Sequence, residues 1–238
     1  MELIAELGSV RSRGELLEKA SMLLGVFDYI DVPDSPLGKP SIHSLTAALI
    51  LSEALNANVI AHVRVVDYNK LALDSMMKTV RLSRIKRLVL LRGDPPVGST
   101  VVGDYSVEGA MARARKLIPG VEVGLLLSLR KSFEEIMERV RLSPDFMLVL
   151  NLSIDRVGLL EAVAGEARRR GIRLYPYIIL ETERNRDILA RVSQPKIRGL
   201  RELEELVSSI EGLVEGVLLS CPQDYGRLVE AASRVERG

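Results

Sequence analysis

The chain has 238 residues, enough for one large domain with a sizeable core, and 47% hydrophobic against 27% charged residues is a globular balance. Lys+Arg at 33 against Asp+Glu at 32 leave no net field to attract nucleic acid or a membrane surface, and 4% aromatic residues with no Trp remove the stacking platforms of a single-strand binder. The single cysteine, Cys221, excludes an internal disulfide and a cysteine metal cluster; no apolar run approaches a membrane span, and the N-terminal stretch is too short and acidic for a signal peptide, so a cytoplasmic location is expected.

From the N-terminus, short β-branched or Leu-rich runs alternate with longer stretches of helical periodicity. Residues 2–7 predict a strand and 16–24 a helix; 29–32 and 44–55 repeat the pair, then 58–66 and 70–82. The fourth strand, 87–91, ends in Arg92-Gly93-Asp94, and after a Pro/Gly loop its helix covers 107–117. Strand 122–127 leads to helix 133–141, strand 146–150 to helix 156–170, and strand 173–180 to a short helix near 185–192 and another over 201–210. The last strand is 214–220, with a final helix from Asp224. Eight strand–helix units without a linker predict a single (β/α)8 TIM barrel over residues 1–238. An open doubly wound sheet usually has fewer strands and often a GxGxxG after the first, where this chain has Gly8-Ser9-Val10.

In such a barrel the active site lies at the C-terminal ends of the strands. Glu6 closes the apolar run Leu3-Ile4-Ala5; pointing inward, it would be desolvated and become a proton donor near neutral pH, whereas paired with an Arg of the next layer it would be structural. His62 sits inside Val59-Ile60-Ala61-His62-Val63, where a core histidine is the plainer reading. Alternation puts it on the same strand face as Arg64, and without a second ligand at metal spacing no metal site is expected. His43, at a helix start, reads as a surface residue. The turn Leu91-Arg92-Gly93-Asp94-Pro95-Pro96 would let backbone approach a flat ligand beside the Asp94 carboxylate.

Asp34-Ser35-Pro36-Leu37-Gly38-Lys39-Pro40, Ala61-His62-Val63-Arg64, Asp67-Tyr68-Asn69 and Leu91-Arg92-Gly93-Asp94-Pro95-Pro96 together resemble the methylenetetrahydrofolate reductase family, over residues 29–98. The resemblance implies FAD across the strand ends, contacted by His62, Arg64, Leu91, Arg92, Gly93 and Asp94, with Asp94 tuning the flavin. It implies Glu6 as the catalytic acid, Asn151 (with Glu6) as the pterin-binding residue, and reduction of a methylene-pterin by hydride from the reduced flavin. Electrons would come from NAD(P)H or a partner protein, and a homo-oligomer is expected. Gly8-Ser9 after the first strand, Leu126-Leu127-Ser128-Leu129-Arg130-Lys131 after the fifth and Tyr177-Ile178-Ile179-Leu180-Glu181 at the seventh depart from the family pattern. A flavin-poor or non-catalytic relative, acting as a pterin-binding or partner-dependent subunit, is the alternative. An unrelated barrel enzyme binding phosphate is disfavoured by the acidic Glu181-Thr182-Glu183 and by Cys221-Pro222 where a Gly-rich cradle would stand.

Overall fold

The strand–helix alternation closes on itself in the computed structural model, which describes residues 1–235. In chain order the elements are β1 (Glu2–Glu6), α1 (Arg13–Leu23), β2 (Tyr29–Val32), α2 (Ser44–Leu55), β3 (Val59–Arg64), α3 (Lys70–Arg81), β4 (Arg87–Leu91), α4 (Val107–Leu117), β5 (Glu122–Ser128), α5 (Phe133–Arg141), β6 (Phe146–Leu150), α6 (Val157–Arg169), β7 (Arg173–Leu180), α7 (Arg186–Leu189), β8 (Lys196–Ile197), α8 (Leu200–Ser209), β9 (Gly216–Ser220) and α9 (Tyr225–Ala232). β1 to β7 pair in parallel in sequence order, and β9 joins β7 to β1, so eight strands form the closed wall of a (β/α)8 TIM barrel. The two-residue β8, which the sequence pattern did not reveal, adds to the upper end of β7.

Side-chain alternation divides the apolar residues between two layers. Odd-numbered β1 residues such as Leu3 and Ala5 face the helices and join the larger cluster, while Ile4, Ile60, Val89, Phe146, Leu148, Tyr175 and Leu218 fill the barrel interior. Gly124 is required there: a Cβ on it would stand 2.3 Å from the Phe146 ring. Local signals set the helix starts. Ser12, Asn69, Ser106 and Ser132 each accept a backbone N–H of their helix's first turn, and Ser132 with Glu135 completes a capping box.

The N-terminal end of the barrel is plugged by charge. Arg87, 3% exposed, donates to Glu122 (2.6 Å) and Glu2 (3.1 Å) and lies over the Tyr29 ring, 3.9 Å from its centroid. Tyr175 also donates to Glu2, at 2.5 Å. Arg87→Met leaves Glu2 without its cation and leaves Glu122 with Arg173 alone, at 2.8 Å. Both retain solvent access, so the expected loss is about 1.5–3 kcal/mol, measured by urea unfolding.

Candidate active site at the barrel mouth

Four inward-facing positions at the other end bring titratable groups together. In the β1–β2 register Glu6 stands beside Asp31. Asp31 is fully buried, and its Oδ1 lies 2.8 Å from His62 Nε2, while its Oδ2 has no hydrogen-bond partner. Tyr177, from β7, donates its hydroxyl to Glu6, and Ser220 at the end of β9 also hydrogen-bonds the carboxyl. Ser44, at the start of α2, fixes β3 from behind: its hydroxyl donates to Val32 O at 2.7 Å and accepts the His62 N–H at 3.0 Å.

Burial and the neighbouring Asp31 charge raise the Glu6 pKa; the Ser220 and Tyr177 hydrogen bonds and His62 oppose the rise without cancelling it. For His62, burial alone would lower the pKa, but the charge and hydrogen bond of Asp31, then Glu6 and Asp34, outweigh it and leave the imidazole above its ordinary value. Burial, then the nearby Glu6, pushes the Tyr177 phenol well above its ordinary value, so it remains a donor. The cluster therefore holds the Glu6 proton and the His62 proton more tightly than water would.

Glu6 faces a cavity of about 300 Å³. Tyr177, Ser220 and Glu6 form its polar floor; Pro33, Leu37, Ile179, Ile188, Leu189, Val192 and Pro222 give it apolar walls, with Gln194 and Gln223 among the remaining lining residues. Among the described residues that line it, Glu6 is the one acid and none is Lys or Arg. The excursion between β7 and α8 supplies one wall. It is stapled by buried Asn185, which donates to Leu180 O (2.9 Å) and accepts the Thr182 N–H (2.8 Å).

The other residues singled out in the sequence lie around this floor rather than on it. His62 and Arg64 do share the inward face of β3, yet neither lines the cavity. Arg64, 2% exposed, is occupied internally: it donates to both Asp67 oxygens (2.6 and 3.2 Å), to Ser35 O (3.1 Å) and to Asp94 O (2.7 Å). Gly93, at φ +86°, has no Cβ because one would stand 2.9 Å from the Arg64 guanidinium carbon. Leu91 packs on the inner cluster, and Arg92 lines a separate cavity by α4. The Asp94 side chain is exposed; it is the backbone carbonyl that serves Arg64. Asn151, at φ +64°, donates to Ser128 (2.9 Å), and its N–H donates to Gln194, which does reach the cavity. His43 is half-buried and bonds Tyr68 at 2.8 Å, not the free surface residue expected. Sequence reasoning passed over Asp31 and Tyr177; the former was legible as a second acid in an apolar strand, like Glu6.

The fold and site define a (β/α)8 barrel with a half-buried acid, Glu6, at the mouth of a mostly apolar cavity. No family model matches the chain, and no curated protein sequence matches it. Among solved structures it is similar to EDTA monooxygenase (EmoA) from Chelativorans sp. BNC1, at 10% identity and TM-score 0.64, covering 99% of this chain and 92% of that one. It is also similar to KGPDC from Streptococcus mutans, at 11% identity and TM-score 0.58, covering 98% and 97%. At these identities the likeness is one of fold. The resemblance to the methylenetetrahydrofolate reductase family is corrected accordingly: these neighbours lie outside it. The motifs that carried it have a structural use, since Ser35, Arg64, Asp67, Gly93 and Asp94 lock two mouth loops together.

The six residues expected to contact FAD do not fit that group as they stand. Arg64 has its donors engaged, His62 is bonded to Asp31, Gly93 is covered by Arg64, and none of the six lines the cavity at Glu6. Among the described residues no group of three His, Cys, Asp or Glu is disposed to hold a metal ion, and no helix is long and apolar enough to cross a membrane.

Proposed function

We propose that the protein is an enzyme whose chemical step begins with proton transfer from Glu6 to a small molecule held above it. One observation carries the reading: Glu6, set beside Asp31 and bonded by Tyr177, forms the floor of a cavity at the C-terminal ends of the barrel strands. When the Glu6 proton passes to an acceptor atom of the ligand, the carboxylate left behind is stabilised by the Tyr177 and Ser220 hydroxyls. The Asp31–His62 pair acts through Glu6 rather than on the ligand: Asp31 disfavours early ionisation of Glu6, and the imidazolium answers the charge once it forms. The reading is tested by incubating a small-molecule extract with the native chain and with Glu6→Gln, followed by untargeted mass spectrometry. A compound consumed by the native chain alone supports it; a compound consumed equally by both contradicts it.

A second reading, a flavin-dependent oxidoreductase, draws on the barrel shared with EDTA monooxygenase. A flavin ring would have to enter the cavity over Glu6, since the Arg64 clamp is closed to it. On this reading the purified chain takes up FAD or FMN and shows a flavin visible spectrum that bleaches on reduction; a chain that stays colourless with both rejects it.

A further inference from the structure

The cavity also constrains what it holds. Resting on the reading of Glu6 as an acid, we propose that the ligand is a molecule of ring-system size without negative charge or phosphate, with a hydrogen-bond acceptor at one end and an apolar body. At the polar floor the Tyr177 and Ser220 hydroxyls are already bonded to Glu6, so with Glu6 as the acid its own proton is the hydrogen left for the ligand, and the deep end of the ligand must accept. The body lies between Leu37 on one side and Ile188, Leu189 and Val192 on the other, where hydrocarbon gains by leaving water.

The charge of the lining argues against an anion. Among the described lining residues there is no cation to pair with one, and Arg64 has its donors committed elsewhere. The loops after β7 and β9, which in many barrels cradle phosphate, send no Lys or Arg to the lining: Arg184, Arg186, Arg191, Lys196 and Arg198, between β7 and α8, all lie off it. Glu181 follows β7 and pairs with Arg198 at 2.8 Å, and Asp224 caps α9 with its own side chain. An anion in the cavity would therefore be desolvated without a partner, and that penalty is large.

The test is an isosteric pair, 1-naphthamide and 1-naphthoate, with inorganic phosphate as a third probe, titrated into the native chain at neutral pH. Binding is read on the methyl resonances of Ile188, Leu189 and Val192. The expected result is saturable binding of the amide, at least about tenfold tighter than the naphthoate, with no methyl response to phosphate. Val192→Arg, which places a cation on the wall, is expected to raise naphthoate affinity. Naphthoate binding as tightly as the amide, phosphate moving the same methyls, or neither ring compound perturbing them overturns the proposal. An infrared measurement of Glu6 on the same sample separates the two readings: a protonated Glu6 with tight naphthoate binding sinks the ligand class alone, whereas an ionised Glu6 sinks the acid.

Discussion

Glu6→Gln is expected to lower turnover by about 10²–10⁴-fold while leaving the barrel folded. The amide preserves size and can still meet Tyr177 and Ser220, but it has no proton to give. Its effect on stability should run the other way. The folded pKa of Glu6 lies above its ordinary value of 4.5, so the unfolded chain releases this proton at a lower pH than the native chain does. As pH rises through that interval the native state binds more protons than the unfolded state, and stability falls. The cost is absent in acid and complete once the folded pKa is passed. Glu6→Gln removes it, so the variant should equal or exceed the native chain in stability at neutral pH, with the difference vanishing as pH falls below about 4.5. Loss of activity with gain of stability is a combination that a merely structural carboxylate would not produce; a variant that loses stability as it loses activity contradicts the assignment.

Arg64→Met is expected to cost about 3–5 kcal/mol, because it strips the hydrogen-bond donors from a side chain buried among Asp67 and two loop carbonyls. The damage should be local as well as global. Ser35 and Leu37 both hold positive φ without being glycine, at 39° and 57°, and the strained turn is kept in place by Arg64 on Ser35 O and by the Val97 N–H on Gly38 O. Releasing the guanidinium frees the turn that carries Leu37, one wall of the cavity. Faster amide exchange of Val97 in Arg64→Met, with partial rescue in Arg64→Lys, which keeps the charge but not the fork, is the expected pattern. Unchanged stability and exchange would show instead that Arg64 is a spare cation available to a ligand.

The barrel was legible because its cause is periodic: eight runs of strand sequence, each leading into helical spacing, leave few other topologies. The acid was legible because a carboxylate in Leu3-Ile4-Ala5-Glu6-Leu7 must either be paired or perturbed. Its partners were not, since Tyr177 lies 171 residues away and joins Glu6 only when β7 closes the wall. Asp31 was legible in part, since alternation puts it on the inner face with Tyr29, but nothing in Tyr29-Ile30-Asp31-Val32 says that it meets His62 of β3. Gly93 shows how one local signal supports two readings. A glycine with positive φ at a strand end announces a close approach, but not of what, and here the approaching group is the chain's own Arg64. The wall from the β7–α8 excursion was hidden for a different reason. Ile188, Leu189 and Val192 have no strand or helix register long enough to orient them, and the Asn185 staple does so instead.

Glu6 is proposed to carry its proton into the neutral range, and infrared difference spectroscopy between the native chain and Glu6→Gln, recorded as a function of pH, reads that proton. A protonated-carboxyl band, lost in the variant, is expected to persist at neutral pH and to give way to carboxylate only above the ordinary titration range. A Glu6 signal already that of a carboxylate at neutral pH, titrating near 4.5 like a solvated glutamate, would contradict it, and the proton-transfer chemistry built on that residue would fall with it.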